Sequence, residues 1–273
     1  MQTKLSGTAC AATMSLLILA TGARAAAVPE RSYSLAGLTA DKTLVLFSSA
    51  TPGTTREVKL AGLTEPVLGI DTRPLDGALY GITASDKLVR INPRSGKTTP
   101  VSSLSKAVRG GEASGLDFNP QADRLRLVGA VGQNLRIQVI VGAVAVDGQL
   151  AFAADDPNAG KRPRISAVAY TNAFANAPTT AMFDIDFALD VLVRQDPPND
   201  GLLRTVGPLG VDCGEASGFD IASPEPGVDD ALAICGQTLY RIDLATGAAA
   251  AIAVIGGEVQ RYLGLAVLTE PKR

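Results

Sequence analysis

A seven-residue segment, EASGLDF (112–118), recurs about one hundred residues later as EASGFDI (215–221). Weaker copies are LGIDTRP (68–74), SAVAYTN (166–172) and LGLAVLT (263–269). Because each copy of a repeat must form the same structural unit, this self-similarity constrains the fold before any single residue is interpreted.

Equivalent positions in the copies are separated by 46, 52, 51 and 46 residues: Gly69, Gly115, Ala167, Gly218 and Gly264. Each interval holds several short alternating apolar segments, which are bounded by turn signals rich in Pro, Gly and Asn. Helical solenoid repeats are mostly shorter and follow a period of 3.6 residues. The spacing is therefore typical of propeller blades with four strands, a to d, and predicts an all-β chain.

The last copy, LGLAVLT, is not followed by further strands. The N-terminal segment contains the strands that the last copy lacks: b, c and d (32–39, 42–53 and 54–63), without a strand a. A ring in which the C-terminal strand completes the N-terminal blade leaves no long unpaired edge. We therefore predict a closed five-bladed β-propeller, with a six-bladed or open arrangement as the alternative.

Residues 1–25 carry the pattern of a secretory signal peptide: Lys4, an apolar stretch over 9–20, and the cleavage pattern Ala23-Arg24-Ala25. The apolar stretch is too short to span a membrane. We predict a signal peptide over 1–25, a single propeller domain over 26–273, and export to the periplasm or medium.

Removing Lys4 and Arg24 with the signal peptide leaves 23 of the 25 basic residues against 27 acidic ones. No basic block remains in the mature chain. We therefore expect neither nucleic acid nor an anionic membrane surface as a partner, and we expect a monomer.

Two cysteines, Cys213 and Cys235, remain after removal of the signal peptide. They flank strands a and b of the last complete repeat, and a hairpin turning near Pro226-Gly227 would bring them opposite each other. In an exported protein such a pair predicts a disulfide. The alternative is two small buried residues that never oxidise.

The chain contains no histidine, which excludes Ser-His-Asp and Cys-His catalysis and His-ligated metals. Carboxylates remain, and Asp71, Asp117 and Asp220 occupy the same position of strand a, the strand that lines a propeller's channel. They could bind a ligand or form a glycosidase pair, which requires two chemically different carboxylates. Since each precedes a turn, we favour capping of turn amides.

Two further groups of polar residues are candidates. Arg126 and Asn134 lie around the b-to-c hairpin of the second complete repeat, where they could face a polar ligand or form an exposed strand face. In the long insertion AADDPNAGKRPR (153–164), Asp155, Asp156 and Asn158 could supply oxygen ligands to calcium. That spacing departs from the EF-hand loop, so a solvated turn is the alternative.

Longer stretches carry a family resemblance: GLDFNPQADRLRLV (115–128), DGQLAFAADDPNAG (147–160), ALDVLVRQDPPNDG (188–201) and LRTVGPLGVD (203–212). They resemble an exported bacterial family known as domain of unknown function 4394. The resemblance implies a secreted, propeller-like repeat domain without established catalytic residues. Members often carry a C-terminal sorting tail, whereas this sequence stops at TEPKR, so we expect release rather than surface anchoring.

These observations favour an exported binding or interaction module that is not catalytic and takes an unknown protein or glycan ligand. A carbohydrate-active hydrolase using Asp117 and an acid from another blade is the first alternative. A structural envelope component is the second. No cofactor is expected apart from the calcium ion considered above.

Overall fold

The computed structural model describes Met1 and residues 31–109 and 111–269. Apart from Met1, the predicted signal peptide lies outside the described residues. In these described ranges, no helix is long and apolar enough to cross a membrane. The strands of residues 31–269 form five small sheets, each of which is a blade of a five-bladed β-propeller.

Blade 1 contains β1 (Ser34–Thr39), β2 (Thr43–Ser48), β3 (Thr51–Lys59) and β21 (Tyr262–Val267). Blade 2 contains β4 (Val67–Thr72), β5 (Leu79–Thr83), β6 (Lys87–Ile91) and β7 (Thr98–Ser103). Blade 3 contains β8 (Ser114–Asn119), β9 (Arg124–Gly129), β10 (Asn134–Ile137) and β11 (Val144–Val146). Blade 4 contains β12 (Ala151–Phe152), β13 (Ile165–Tyr170), β14 (Met182–Asp186), β15 (Val191–Gln195) and β16 (Leu202–Pro208). Blade 5 contains β17 (Ser217–Glu225), β18 (Val228–Cys235), β19 (Thr238–Ile242) and β20 (Ala249–Val254).

Strand β21 closes the ring by pairing with the N-terminal strand of blade 1. It runs antiparallel to β1, with Leu265 opposite Gly37 and Ala266 opposite Ala36. Five apolar clusters fill the spaces between neighbouring blades, including one in which Leu232 of blade 5 packs with Phe47 of blade 1. The predicted ring, and its closure by the C-terminal strand, are confirmed.

Glycines at the repeat anchor allow the inner strands to approach each other closely. A Cβ atom on Gly115 would lie 2.7 Å from the backbone nitrogen of Val168, and one on Gly218 would lie 2.6 Å from that of Leu265. Any side chain would therefore push neighbouring blades apart. At this level the lumen of the ring has a volume of only about 10 Å³.

Two local features differ from the sequence prediction. The sequence predicts strand c of blade 1 over 42–53 and strand d over 54–63, but β3 already begins at Thr51 and contains Pro52 and Gly53. Proline is tolerated there because β3 is the outermost strand of its sheet.

In addition, β12 from the long insertion pairs in parallel with β16, so blade 4 has a fifth strand.

The predicted disulfide between Cys213 and Cys235 is present, with Cα atoms 4.2 Å apart. It links the segment before β17 to the end of β18, since Ser217 pairs with Cys235 across the hairpin. Both cysteines are buried in the cluster between blades 4 and 5.

The double variant Cys213→Ser/Cys235→Ser is expected to lose about 3 kcal/mol of stability, because the crosslink closes a loop of 22 residues in the unfolded chain. Denaturant melts of the variant and of the oxidised protein measure this difference. Reduced protein serves as the control and should melt near the variant. Equal midpoints for oxidised protein and variant would contradict a stabilising crosslink.

Candidate functional site

The three repeated aspartates converge at the axis of the ring. Asp71 on β4, Asp117 on β8 and Asp220 on β17 are each 5% exposed or less. Each contributes a carboxylate oxygen to a set whose members all lie within 4.8 Å of one another. The equivalent positions of β13 and β21 hold Ala169 and Ala266, so the cluster is not symmetric around the ring.

Asp71 and Asp220 each bridge two neighbouring inner strands. Asp71 accepts a hydrogen bond from the backbone N–H of Phe118 on β8 at 2.7 Å, and another from Thr72 at 2.6 Å. Asp220 accepts from Val267 on β21 at 2.5 Å and from Ile221 at 2.6 Å. Both oxygens of each carboxylate therefore accept an amide hydrogen.

Asp117 has a different environment. The backbone N–H of Tyr170 on β13 donates to Asp117. The N–H of the next residue, Phe118, does not, because it donates to Asp71. The three carboxylates thus accept hydrogen bonds from five equivalent backbone amides, one in each blade: those of Thr72, Phe118, Tyr170, Ile221 and Val267. We had favoured capping of the a-to-b turns, but the amides bonded here belong to the inner strands, and three of them lie one blade further on.

Burial raises the pKa of all three carboxyl groups. For Asp71, burial and the charge of Asp220 hold the pKa well above its ordinary value of 3.8. For Asp117, burial and the charges of Asp71 and Asp220 do the same. For Asp220, burial raises the pKa to about 6, although the N–H groups of Val267 and Ile221 lower it. The three carboxyl groups therefore hold their protons to higher pH than an exposed aspartate does.

The aspartates form the floor of a pit of about 320 Å³ on the face of the ring that carries the a-to-b turns. Its walls are mainly apolar, and they include Phe118, Phe174, Ile221, Pro74, Ala222, Pro224, Val267 and Leu268. Among the described residues that line the pit, the titratable ones are the three aspartates and Tyr33. The hydroxyl of Tyr33 donates to Asp230, and burial raises its pKa, so it stays neutral.

Thr72 also lines the pit, and its side-chain hydroxyl has no partner among the described residues. The residue is 8% exposed, and its Oγ1 atom is buried without a hydrogen bond to any described residue. Buried hydroxyls are usually satisfied, so an orphaned one beside a cavity is a polar group that a ligand can bond.

Arg126 and Asn134 do not line the pit. The guanidinium of Arg126 is buried between blades 3 and 4, where it donates to Asn134 at 2.7 Å, Asp147 at 2.6 Å and Asn199 at 2.8 Å. Asn134 in turn donates to the backbone oxygen of Pro198 at 2.9 Å. The two side chains therefore do not form an exposed strand face. They are buried, and protein groups bond both of them.

The oxygen atoms of the 153–164 loop contact protein groups. Asp155 pairs with Arg204 at 3.0 Å, and Asp156 accepts hydrogen bonds from the N–H groups of Thr205 and Asn158. Burial raises the pKa of Asp156, but these bonds outweigh it and hold the value below the ordinary one. Calcium binding by Asp155, Asp156 and Asn158 stays a prediction.

Residues 43–266 of the chain match a family described as Domain of unknown function (DUF4394). The chain belongs to the DUF4394 family. The sequence resemblance is thereby confirmed over most of the propeller. No curated protein matches this DUF4394 chain.

Solved structures resemble the DUF4394 propeller at low sequence identity. A chain of the nidogen/laminin complex is 12% identical, covers 88% of this chain and 99% of its own, and has a TM-score of 0.50. Virginiamycin B lyase from Staphylococcus aureus is 14% identical, with 77% and 58% coverage and a TM-score of 0.39. A structural genomics protein of unknown function from Bacteroides thetaiotaomicron is 13% identical, with 79% and 54% coverage and a TM-score of 0.49. Our chain thus spans less than two thirds of the latter two, and the likeness concerns the fold alone.

Proposed function

We propose that this DUF4394 propeller is a binding module whose pit receives an organic cation, either an ammonium or a guanidinium group with an apolar body. One observation carries the proposal: three carboxylates within 4.8 Å of one another form the floor of an apolar pit. Among the described lining residues there is no lysine or arginine to neutralise them. Ligand pockets of this kind combine apolar walls with a few convergent polar groups.

A bare metal ion accounts for less of this arrangement. Calcium takes six to eight oxygen ligands, whereas five of the six carboxylate oxygens already accept an amide hydrogen. An ion would also leave most of the 320 Å³ pit and its apolar wall unused. An ammonium group needs only three acceptors, and the carbon chain attached to it can contact Phe118 and Phe174.

Both ligand classes expected from the sequence can supply such a group. A protein partner offers a lysine side chain or an amino terminus, and a glycan offers an amino sugar. We further propose that the module acts after export, which the disulfide supports because such bonds persist in oxidising compartments.

Affinity for a cation is expected to rise with pH. The pKa of Asp220 is about 6, so this group is mostly protonated at pH 5 and ionised at pH 8. Asp71 and Asp117 also have raised pKa values, so they too release protons as the pH rises. Ionisation of one group over this range corresponds to about a tenfold gain in affinity. The chain has no histidine, so no imidazole titrates in the same window.

The test is a calorimetric titration of mature protein with benzylamine, which stays protonated at both pH values, and with neutral benzyl alcohol. We expect benzylamine to bind about tenfold more tightly at pH 8 than at pH 5, and more tightly than the alcohol. Asp117→Asn keeps an oxygen for the Tyr170 amide but should weaken binding. The control, Asp212→Asn, changes an exposed carboxylate outside the pit. Equal affinity for amine and alcohol would refute the proposal.

Glycoside hydrolysis is the second candidate, since the pit holds more than one carboxylate and glycosidases use a pair of them. Asp117 has fewer amide donors than Asp71 and Asp220, which supplies a chemical asymmetry that the sequence does not reveal. Against hydrolysis, both oxygens of the other two aspartates are occupied by backbone amides. Turnover of aryl glycosides that disappears in Asp117→Asn would favour this candidate over binding alone.

A further inference from the structure

A second cavity lies on the same face of the ring, between blades 1 and 2. This basic groove has a volume of about 860 Å³ and runs along the ends of strands β1, β2 and β6. Four cationic residues line it: Arg56, Arg90, Arg94 and Lys97. Among the described residues in its lining, none is acidic. The groove is thus a positive region on a chain in which acidic residues outnumber basic ones, 27 to 25.

The cationic side chains of the groove are exposed, and two of them lack carboxylate partners within the described ranges. Arg56 donates to the backbone oxygen of Arg94 at 3.3 Å rather than to an acid, and Lys97 forms no described ion pair. Several exposed cations elsewhere on the ring do pair, as Lys59 does with Asp41 and Lys87 with Glu65. Charge complementarity therefore favours an anionic group in the groove.

The acidic pit and the basic groove share a wall. Leu268 and Thr269, which follow β21, line both cavities. A molecule seated in the pit therefore reaches the groove by passing over these two residues. One continuous surface thus presents negative charge at the ring axis and positive charge at the outer end of the same face.

We propose that the ligand is bipolar: its cationic group binds in the acidic pit, and an anionic group at its other end binds in the basic groove. The proposal rests on the function proposed above and adds the second charge. An aminocarboxylate has this chemistry. Free amino acids with a long side chain, and short peptides with a free amino terminus, are its two sources.

The orphaned hydroxyl of Thr72 supports a ligand that extends from the pit. Its Oγ1 atom is buried at the wall of the pit without a partner among the described residues, so a polar group of a ligand that reached it would satisfy it. A purely apolar extension would leave this hydroxyl unsatisfied, whereas an amide of a peptide would bond it.

The experiment compares three series of linear probes of matched length, from four to twelve carbons: ω-amino acids, alkylamines and alkanoates. Affinity is measured by NMR titration of mature protein at pH 8. We expect ω-amino acids in one range of lengths to bind on the order of tenfold more tightly than the matched amines, as a charge-assisted hydrogen bond supplies. Peptides with free and acetylated amino termini then distinguish the two sources.

Charge variants locate the second site. Lys97→Glu should remove the advantage of the ω-amino acids over the amines and leave alkylamine affinity unchanged within twofold. Lys106→Glu, the same substitution at an exposed lysine outside both cavities, is the matched control and should change neither. If amines bind but no ω-amino acid binds more tightly, the bipolar ligand is excluded and the pit proposal stands. If no amine binds, the pit proposal fails first.

Discussion

A chain that ends at Arg261, without β21, is expected to lose cooperative folding. The deletion removes Leu263 and Leu265, which are almost fully buried in two different clusters between blades. Burial of two leucines contributes about 3–6 kcal/mol, a large part of the 5–15 kcal/mol that stabilises a typical domain. It also leaves β1 with an unpaired edge and removes the Val267 amide that bonds Asp220.

Thermal unfolding followed by circular dichroism measures this effect, and light scattering detects aggregation through the open edge. A chain that ends at Thr269 is the matched control, because it keeps the whole of β21; we expect it to melt like the full mature chain. A cooperative melt at the same temperature for the chain ending at Arg261 would show that the ring does not depend on this strand.

Replacing Arg126 by methionine is expected to cost about 3–5 kcal/mol, because it removes one partner of a buried ion pair and leaves polar groups unsatisfied. Arg126 is 1% exposed, and its guanidinium bonds Asp147, which also pairs with Arg136 at 2.6 Å. The side-chain oxygen of Asn199 would lose its donor as well. Chemical denaturation of the mature protein measures the change in the free energy of unfolding.

Arg124→Met is the control for this substitution, since Arg124 lies two residues away on β9 and, within the described ranges, its side chain donates to the backbone oxygens of Ala122 and Asp123. Its effect should stay within about 0.5 kcal/mol. Comparable destabilisation by both variants would mean that the buried network adds nothing beyond the loss of an arginine stem.

The repeat predicts the ring because spacing and alternation depend only on local sequence. Gly115 and Gly218 mark equivalent strands, and Asp117 and Asp220 follow them by the same two residues by which Asp71 follows Gly69. The partners of the carboxylates were not predictable in the same way. They depend on how closely the inner strands approach, a distance set by packing between blades rather than by the composition of any one repeat.

The network around Arg126 illustrates the same limit. Alternation with Leu125 and Leu127 places Arg126 on the opposite face of β9, and we took that face as exposed or directed at a ligand. Its partners Asp147 and Asn199 lie 21 and 73 residues further along the chain, and only the packing of blade 4 against blade 3 brings them together. The basic groove combines side chains from two blades and likewise has no local signature.

The way in which three carboxylates serve five axial amides also bears on how many blades this chain accepts. Asp71 and Asp220 each accept a hydrogen bond from the amide of the next residue in their own strand and from an amide of the following blade, while Asp117 accepts from the Tyr170 amide on β13. Duplicating an alanine-bearing blade beside another would bring a sixth amide to the axis with no acceptor beside it. Losing the blade that carries Asp220 would place the Val267 amide next to the blade that carries Ala169, again with no acceptor beside it. The hydrogen bonds at the axis therefore favour five blades, in addition to the pairing of β21 with β1. Unequal recombination between these similar repeats would destabilise the ring by leaving a buried amide without an acceptor.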